Sequence, residues 1–437
     1  MSEKPAAITL SFRQHIAAQI ECMDANPADS KLGVLRRRDE AALAEAEAWD
    51  TLGSRAGLYG LTVAVKALFD VQGWPTGAGS QFLDKSEPAS SDASMVAQLR
   101  RQGAVITSQT NMTEFAFGAL GLNPHFGSPR TPLDPNRQRV AGGSTSGGAV
   151  AVACGFADLA LGSDTSGSIR IPAAFCGAVG FKPSQGRHDS RGMLYLSPTF
   201  DVPGFIARDV ETCLRADRAL ARPEPTLKVP DGLQGRRFLV PPKFALDYAD
   251  SDVVRTFEEA VKVLKAAGAH IVERNMPELD RYGEVAIEGG MIISEAFSLH
   301  SHMLEKFSDE YDPRVGPRIA LGENVKAHAY FKARHELEQL SESYQSQLAG
   351  FDALLTPTVP MLPPKVADLE KDENYYSLNR LSFRLTEVAN RIDVPSVTLP
   401  FDPVRPIGVM LTGANRNDQS LLALSQAVET VFRSSFQ

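Results

Sequence analysis

The sequence predicts an α/β protein, a β-sheet layered with helices, on three observations. Short apolar runs alternate with helix-compatible runs and glycine-rich turns between about residues 57 and 205. Amphipathic helical periodicity recurs through the second half, and 43% hydrophobic with 22% charged residues over 437 positions supplies a large core. No repeat, low-complexity tract or linker divides the chain, so it reads as one domain over 1–437. Within it, 1–55 is a helical segment, 57–205 the core carrying the chemistry, and 206–437 the rest of the sheet and its covering helices.

The elements follow in order. AALAEAEAWD has strong helix propensity and belongs to the first segment. LTVAVKALF suits a strand, Ser91 or Asp92 can cap a helix over SMVAQLRRQG, and AVITSQT is the next strand. AVAVACG is a buried small-residue helix, DLALGSD a short strand, and IPAAFCG a helix start with Pro172 in its first turn. Amphipathic helices are expected at 207–223, 251–268, 287–307 and 326–349, and strands at HIVERNM and DALLTPT. Successive prolines make TPTVPMLPP non-helical; SVTLPF and PIGVMLT are late strands before a last helix near 417–434.

Charge and cysteine usage exclude several functions. A formal charge of −8 gives no general attraction to phosphate backbones or anionic lipid, so neither nucleic acid nor membrane is an expected partner. The first 30 residues lack a secretory apolar core and no run approaches a membrane span, which points to the cytoplasm. Cys22, Cys154, Cys176 and Cys213 have no metal-ligand spacing, and no HExxH occurs among the histidines. Neither a metal nor a cofactor is expected.

Residues 141–183, AGGSTSGGAVAVACGFADLALGSDTSGSIRIPAAFCGAVGFKP, carry most of the chemical information. Glycines and serines at this density, twice followed by helical runs, gather main-chain N–H groups and hydroxyls at one end of the sheet. Such a site stabilises negative charge, as a phosphate cradle or as an oxyanion hole beside a serine nucleophile. The phosphate alternative lacks the lysine of GxxxxGK[ST], and no GxGxxG is present in this stretch. Nor do Ser144, Ser146 or Ser168 sit in GxSxG, so no Ser–His–Asp triad is indicated.

GLYGLTVAVKALFDVQGWPTGAGS, GGSTSGG and GSDTSGSIRIPA together resemble the signature region of the amidase signature family. The likeness continues through TNMTEFAFG, LNPHFGSPR, LSPTFDVPGFIAR and DALLTPTVP to PIGVMLTG. It implies a large mixed β-sheet sandwiched between helical layers, and an amidohydrolase cleaving a small or medium carboxamide through an acyl-enzyme. By the same resemblance Ser168 is the nucleophile, Ser144 the bridging serine after a cis bond from Gly143, and Lys66 the base. Ala67, Ser166 and Gln109 depart from common family choices without removing a proposed catalytic atom.

The chemistry explains these residue types. A serine hydroxyl needs a positioned base, and a lysine serves only when uncharged. Val63, Ala64 and Val65 before Lys66, and Ala67, Leu68 and Phe69 after it, provide the burial that lowers its pKa. Ser144 would relay the proton from Ser168 to Lys66 and back to the departing amine. The main-chain N–H groups of Thr165, Ser166, Gly167 and Ser168 would meet the oxyanion. Asp164 and Arg170 are expected as a supporting ion pair, Ser146 and Ser166 as helix caps, and His125 and His188 as loop or core residues. Met112, Phe115 and Phe117 are candidates for the substrate pocket.

Two other functions fit parts of the pattern. The glutaminase component of a tRNA-dependent amidotransferase shares the signature, and a silent scaffold would not require Lys66, Ser144 and Ser168 together. The expected partner is a small-molecule amide; a homodimer is left open, with the N-terminal helical segment as its candidate interface.

Overall fold

Three parallel strands, each buried on both faces, form the part of the sheet that carries the signature residues. The computed structural model describes residues 10–53, 57–221 and 229–436; the first nine residues of the expected N-terminal helical segment lie outside them. β1 (Val34–Arg37), β2 (Thr62–Lys66), β3 (Val105–Thr110), β4 (Leu159–Asp164), β5 (Val179–Lys182) and β6 (Val202–Ala207) come from the first half. β7 (Arg237–Val240), β8 (His270–Glu273), β9 (Ala353–Pro357), β10 (Ser396–Pro400) and β11 (Gly408–Thr412) complete one 11-stranded sheet. Its order is β1-β3-β2-β4-β6-β5-β10-β11-β9-β7-β8.

The sheet is mixed. β3, β2 and β4 are parallel, β4 through β9 pair antiparallel in spatial order, and β9, β7 and β8 are parallel again. β2, β3 and β4 are buried throughout, which explains why their sequences run apolar or small instead of alternating. The helices Ser94–Arg101 and Ser146–Ala153 are the connections that such parallel strands need. Because β2 and β4 are neighbours in register, with Val65 beside Leu161, their carboxyl ends bring Lys66 and the Ser163–Asp164 corner together. The Thr165–Ser168 turn leaves β4 at this end, and the glycine- and serine-rich turn that enters the helix Ser146–Ala153 is bonded to it there.

Some local expectations are corrected. The segment expected to be helical contains β1, which pairs antiparallel with β3 and forms an edge of the sheet. The helix Ser94–Arg101 follows Ala93 with no side-chain cap; Asp92 instead accepts from Gln72 N at 2.8 Å and pairs with Arg100 at 3.0 Å. The amphipathic stretch 287–307 is broken at Gly289–Gly290, between the helices Arg281–Glu288 and Met291–Phe307. Ser146 begins its helix without capping it, its buried hydroxyl having no partner among the described residues.

Candidate active site

Lys66 is the last residue of β2 and is fully buried. Its Nζ lies 2.7 Å from Ser144 Oγ and 2.9 Å from Ser163 Oγ, and it also reaches Ser163 O at 3.4 Å. Burial lowers its pKa to about 7, against the opposing pull of the Asp201 and Asp164 carboxylates. An amine in this position is therefore neutral in a large fraction of molecules near neutral pH.

Ser144 follows a cis Gly143–Ser144 peptide. Gly143 N donates to Ala119 O at 2.6 Å, and Ser144 O accepts from Thr113 N at 3.2 Å. A Cβ on residue 143 would come within 2.7 Å of Gly121 N and 2.8 Å of Thr113 Oγ1, so the close packing of this turn demands glycine. One residue on, Thr145 N donates to Ser168 O at 3.1 Å and joins the two signature turns directly.

The second turn, Thr165 to Ser168, leaves β4 and enters the helix Arg170–Cys176. Among the described residues, no acceptor takes the main-chain N–H groups of Thr165, Ser166, Gly167 or Ser168. Buried main-chain donors are normally paired, so four in succession beside a cavity mark a place built to receive acceptors. The rest of the turn is held tightly. Thr165 Oγ1 donates to Asp201 Oδ1 at 2.5 Å, Thr386 Oγ1 to Ser166 O at 2.6 Å, and Arg391 to Thr165 O at 3.2 Å and Ser166 Oγ at 2.8 Å. Ser166, expected as a cap, is thus an acceptor for a buried arginine.

Below the turn, Asp164 and Arg170 form a fully buried pair at 2.9 Å. Asp164 also accepts from Ile169 N at 3.1 Å and Asn390 Nδ2 at 3.0 Å, while Arg170 donates to Thr386 O at 2.7 Å. Burial alone would raise the Asp164 pKa; the Arg170 guanidinium more than offsets it and holds the carboxyl at about 2. Asp201, which holds Thr165, has no ion-pair partner among the described residues; burial pushes it up to about 6 despite bonds from Thr165, Ser197 N and Leu196 N and the pull of Lys66.

Ser168, only 1% exposed, lines a cavity of about 350 Å³ with Thr165, Ser166, Phe117, Arg318 and Arg391. Phe117 is the one aromatic candidate that reaches this cavity. Met112 and Phe115 lie in the core, Phe115 against Phe82, His300 and Tyr311. His125 bonds Glu114 at 3.1 Å, and His188 is buried beside Asp217. Ser163, Asp201, Thr386, Asn390 and Arg391 were not among the residues singled out from the sequence. Ser163 lies inside GSDTSGSIRIPA and Asp201 inside LSPTFDVPGFIAR, motifs in which neither had an expected role; Thr386, Asn390 and Arg391 had no signal.

The main-chain pattern and motifs match known proteins over nearly the whole chain. The Amidase family profile covers residues 21–422. The chain belongs to the amidase family. A relative, 2-amino-5-chloromuconic acid deaminase of Comamonas testosteroni, is 36% identical over 402 residues, covering 89% of this chain and 86% of that one. A glutamyl-tRNA(Gln) amidotransferase component from Neisseria gonorrhoeae (strain ATCC 700825 / FA 1090) is 30% identical over 439 residues, 91% and 90% of the two chains. A solved amidase structure superposes with a TM-score of 0.85 at 33% identity, covering 96% of each chain. A bacterial aryl acylamidase of the amidase signature family, 20% identical, shares the fold at a TM-score of 0.85, over 98% of this chain and 94% of that one. As an amidase, this protein is a hydrolase acting on carbon–nitrogen bonds. Among its described residues, no group of three or more His, Cys, Asp or Glu is placed to hold a metal ion, and no helix is long and apolar enough to cross a membrane.

Proposed function

We propose that this amidase hydrolyses a small carboxamide with Ser168 as nucleophile, Ser144 as proton relay and Lys66 as base. The observation that carries the proposal is the 2.7 Å contact between the buried Lys66 Nζ and Ser144 Oγ, at a lysine whose pKa is lowered to about 7. A neutral amine there accepts the Ser144 proton as Ser144 takes that of Ser168, and the Ser168 oxygen attacks the amide carbon. The carbonyl oxygen becomes an oxyanion facing the unpaired N–H groups of the Thr165–Ser168 turn. Collapse expels ammonia or an amine, protonated by the reverse flow from Lys66 through Ser144. Water then cleaves the acyl-enzyme by the same relay and frees Ser168.

Asp164, Arg170 and Gly143 act as support, fixing the turns that present these atoms. Phe117 forms part of the substrate wall. The protein is proposed to work on free small molecules in the cytoplasm, in keeping with its charge of −8. One relative is named for 2-amino-5-chloromuconic acid and another for glutamyl-tRNA(Gln), so the choice of amide rests on this chain's own cavity.

Covalent labelling tests the assignment. A fluorophosphonate should modify the full-length protein once, at Ser168, and Ser168→Ala should lose both the label and amide turnover while unfolding at the same temperature. Turnover that survives Ser168→Ala refutes it. Ammonia release from glutamine only after a partner protein is added would favour the amidotransferase role instead.

A further inference from the structure

Each main-chain N–H left open at the Thr165–Ser168 turn belongs to a peptide group whose carbonyl is occupied from behind. Asn390 Nδ2 donates to Asp164 O at 2.9 Å, Arg391 Nη1 to Thr165 O at 3.2 Å, Thr386 Oγ1 to Ser166 O at 2.6 Å, and Ile171 N to Gly167 O at 2.8 Å. A carbonyl that accepts a hydrogen bond draws electron density along its peptide, so the N–H of the same unit becomes a stronger donor. All but the last of these donors come from one short segment, Thr386 to Arg391. Arg170 fixes that segment in turn, donating through Nη1 to Thr386 O and through Nη2 to Asn390 Oδ1, both at 2.7 Å. The donors are therefore aimed at the turn before any substrate arrives.

Arg391 differs from Thr386 and Asn390 in carrying a charge. Its side chain is only 2% exposed, its guanidinium lies 4.5 Å over the Phe200 ring, and Nη2 donates to Ser166 Oγ at 2.8 Å and to Glu387 at 3.1 Å. Glu387 does not neutralise Arg391 alone, because Arg380 and Arg384 act on the same carboxylate. A buried cation is costly to place, and a neutral amide side chain could pin the turn with the same donors. A positive charge one peptide behind the Ser166 N–H does something an amide cannot. It attracts the negative charge that develops on the substrate's carbonyl oxygen, and burial keeps water from screening it.

We propose that Arg391 is a positioning residue for the reaction: its guanidinium holds the Thr165–Ser166 peptide, polarises it toward the Ser166 N–H, and favours the oxyanion through its charge. The inference rests on Ser168 as the nucleophile and on its turn as the oxyanion hole. Glu387 has the part of orienting the guanidinium, and Thr386 and Asn390 act on the adjoining peptides in the same direction without a charge.

A fluorophosphonate tests this without knowledge of the natural amide. Ser168 Oγ bonds to phosphorus, fluoride leaves with the P–F electron pair, the serine proton passes through Ser144 to Lys66, and the phosphoryl oxygen takes the oxyanion's place. The second-order rate of labelling is followed across pH in the full-length parent protein and in Arg391→Met, Arg391→Gln and Arg391→Lys. Arg391→Met should label about 10- to 100-fold more slowly, at or below the loss that follows removal of a direct oxyanion donor. The midpoint of its pH profile should stay at the parent's, near 7, because Lys66 is untouched. Arg391→Lys, which keeps the charge, should recover more of the rate than Arg391→Gln, which keeps donors without the charge. Recovery by Gln equal to or better than that by Lys shows that the residue only pins the turn, and overturns the proposal. An undiminished rate in folded Arg391→Met overturns it too, as does a midpoint displaced from the parent's, which would put the effect on the base. Where Arg391→Met does not fold, the comparison of Lys with Gln decides alone. A parent protein that takes no label at Ser168 refutes the nucleophile itself; a labelled parent whose rate all three variants match removes Arg391 alone.

Discussion

Lys66 Nζ and Ser144 Oγ stand 2.7 Å apart although the two residues are 78 positions apart in the chain, with Ser163 Oγ at 2.9 Å as the second oxygen on the amine. Both oxygens can accept from an ammonium and donate to an amine, so the contact serves either protonation state. Only the amine can act as base.

Lys66→Ala should therefore lower kcat by about 10²- to 10⁴-fold, the range removed with a general base. In the parent protein kcat/KM should rise as pH climbs through about 7, where Lys66 loses its proton. A flat pH profile across that region, or a normal rate in Lys66→Ala, contradicts the role.

The same lysine has a consequence for stability. Unfolded, it holds its proton up to its ordinary value of 10.5; folded, it releases it near 7. Between those values the unfolded chain binds more protons, so this group makes stability grow as pH rises and diminish as pH falls toward 7. Lys66→Met should flatten that part of the stability profile measured by urea unfolding.

Asp201 touches the Thr165 hydroxyl at 2.5 Å and lies in none of the proposed bond-making steps. Asp201→Ala should loosen the Thr165–Ser168 turn, lowering kcat by about 100-fold with a smaller change in KM, the cost typical of a slight misplacement. Equal kcat in a correctly folded variant would show that the turn keeps its shape without this bond.

Gly167 has φ of +140°, and a Cβ there would collide with Thr386 Oγ1 and lie 2.7 Å from Ile171 Cδ1. Gly167→Ala should cost about 1–3 kcal/mol of stability in denaturant titration and reduce turnover together. Little change in either would mean that the turn can relax around the methyl.

Asp164→Ala leaves the fully buried Arg170 without its carboxylate. Destabilisation of about 3–5 kcal/mol is expected, the cost of breaking rather than replacing a buried pair. Asp164 also contributes stability that is present above its ordinary value of 3.8 and lost as pH falls through about 2. Acid unfolding of Asp164→Asn should lack that component.

Local patterns made most strands legible. Val105–Thr110, Leu159–Asp164, Ala353–Pro357, Ser396–Pro400 and Gly408–Thr412 all fall within runs picked out by apolar content and turn signals. β1 was hidden because Val34–Arg37 is only four residues, half-buried at an edge and flanked by helices. Its strand state comes from pairing with β3, a partner about 70 residues away, which no local propensity encodes. Asp92 likewise looked like a cap because short acidic side chains favour that place; Arg100 and Gln72 N compete for it successfully in the folded chain.

The chain alone determined its family, the α/β architecture, and which lysine and serines merit attention, because these are written in contiguous motifs and in the period of apolar side chains. Tertiary structure decided what surrounds them. Asp201 closes on Thr165 from 36 residues away and Arg391 on Ser166 from 225, while Phe117 faces the cavity and Phe115 the core. Those contacts depend on strand order and helix placement, and the distances between side chains that result from them set the lysine's proton affinity and the charge of the cavity.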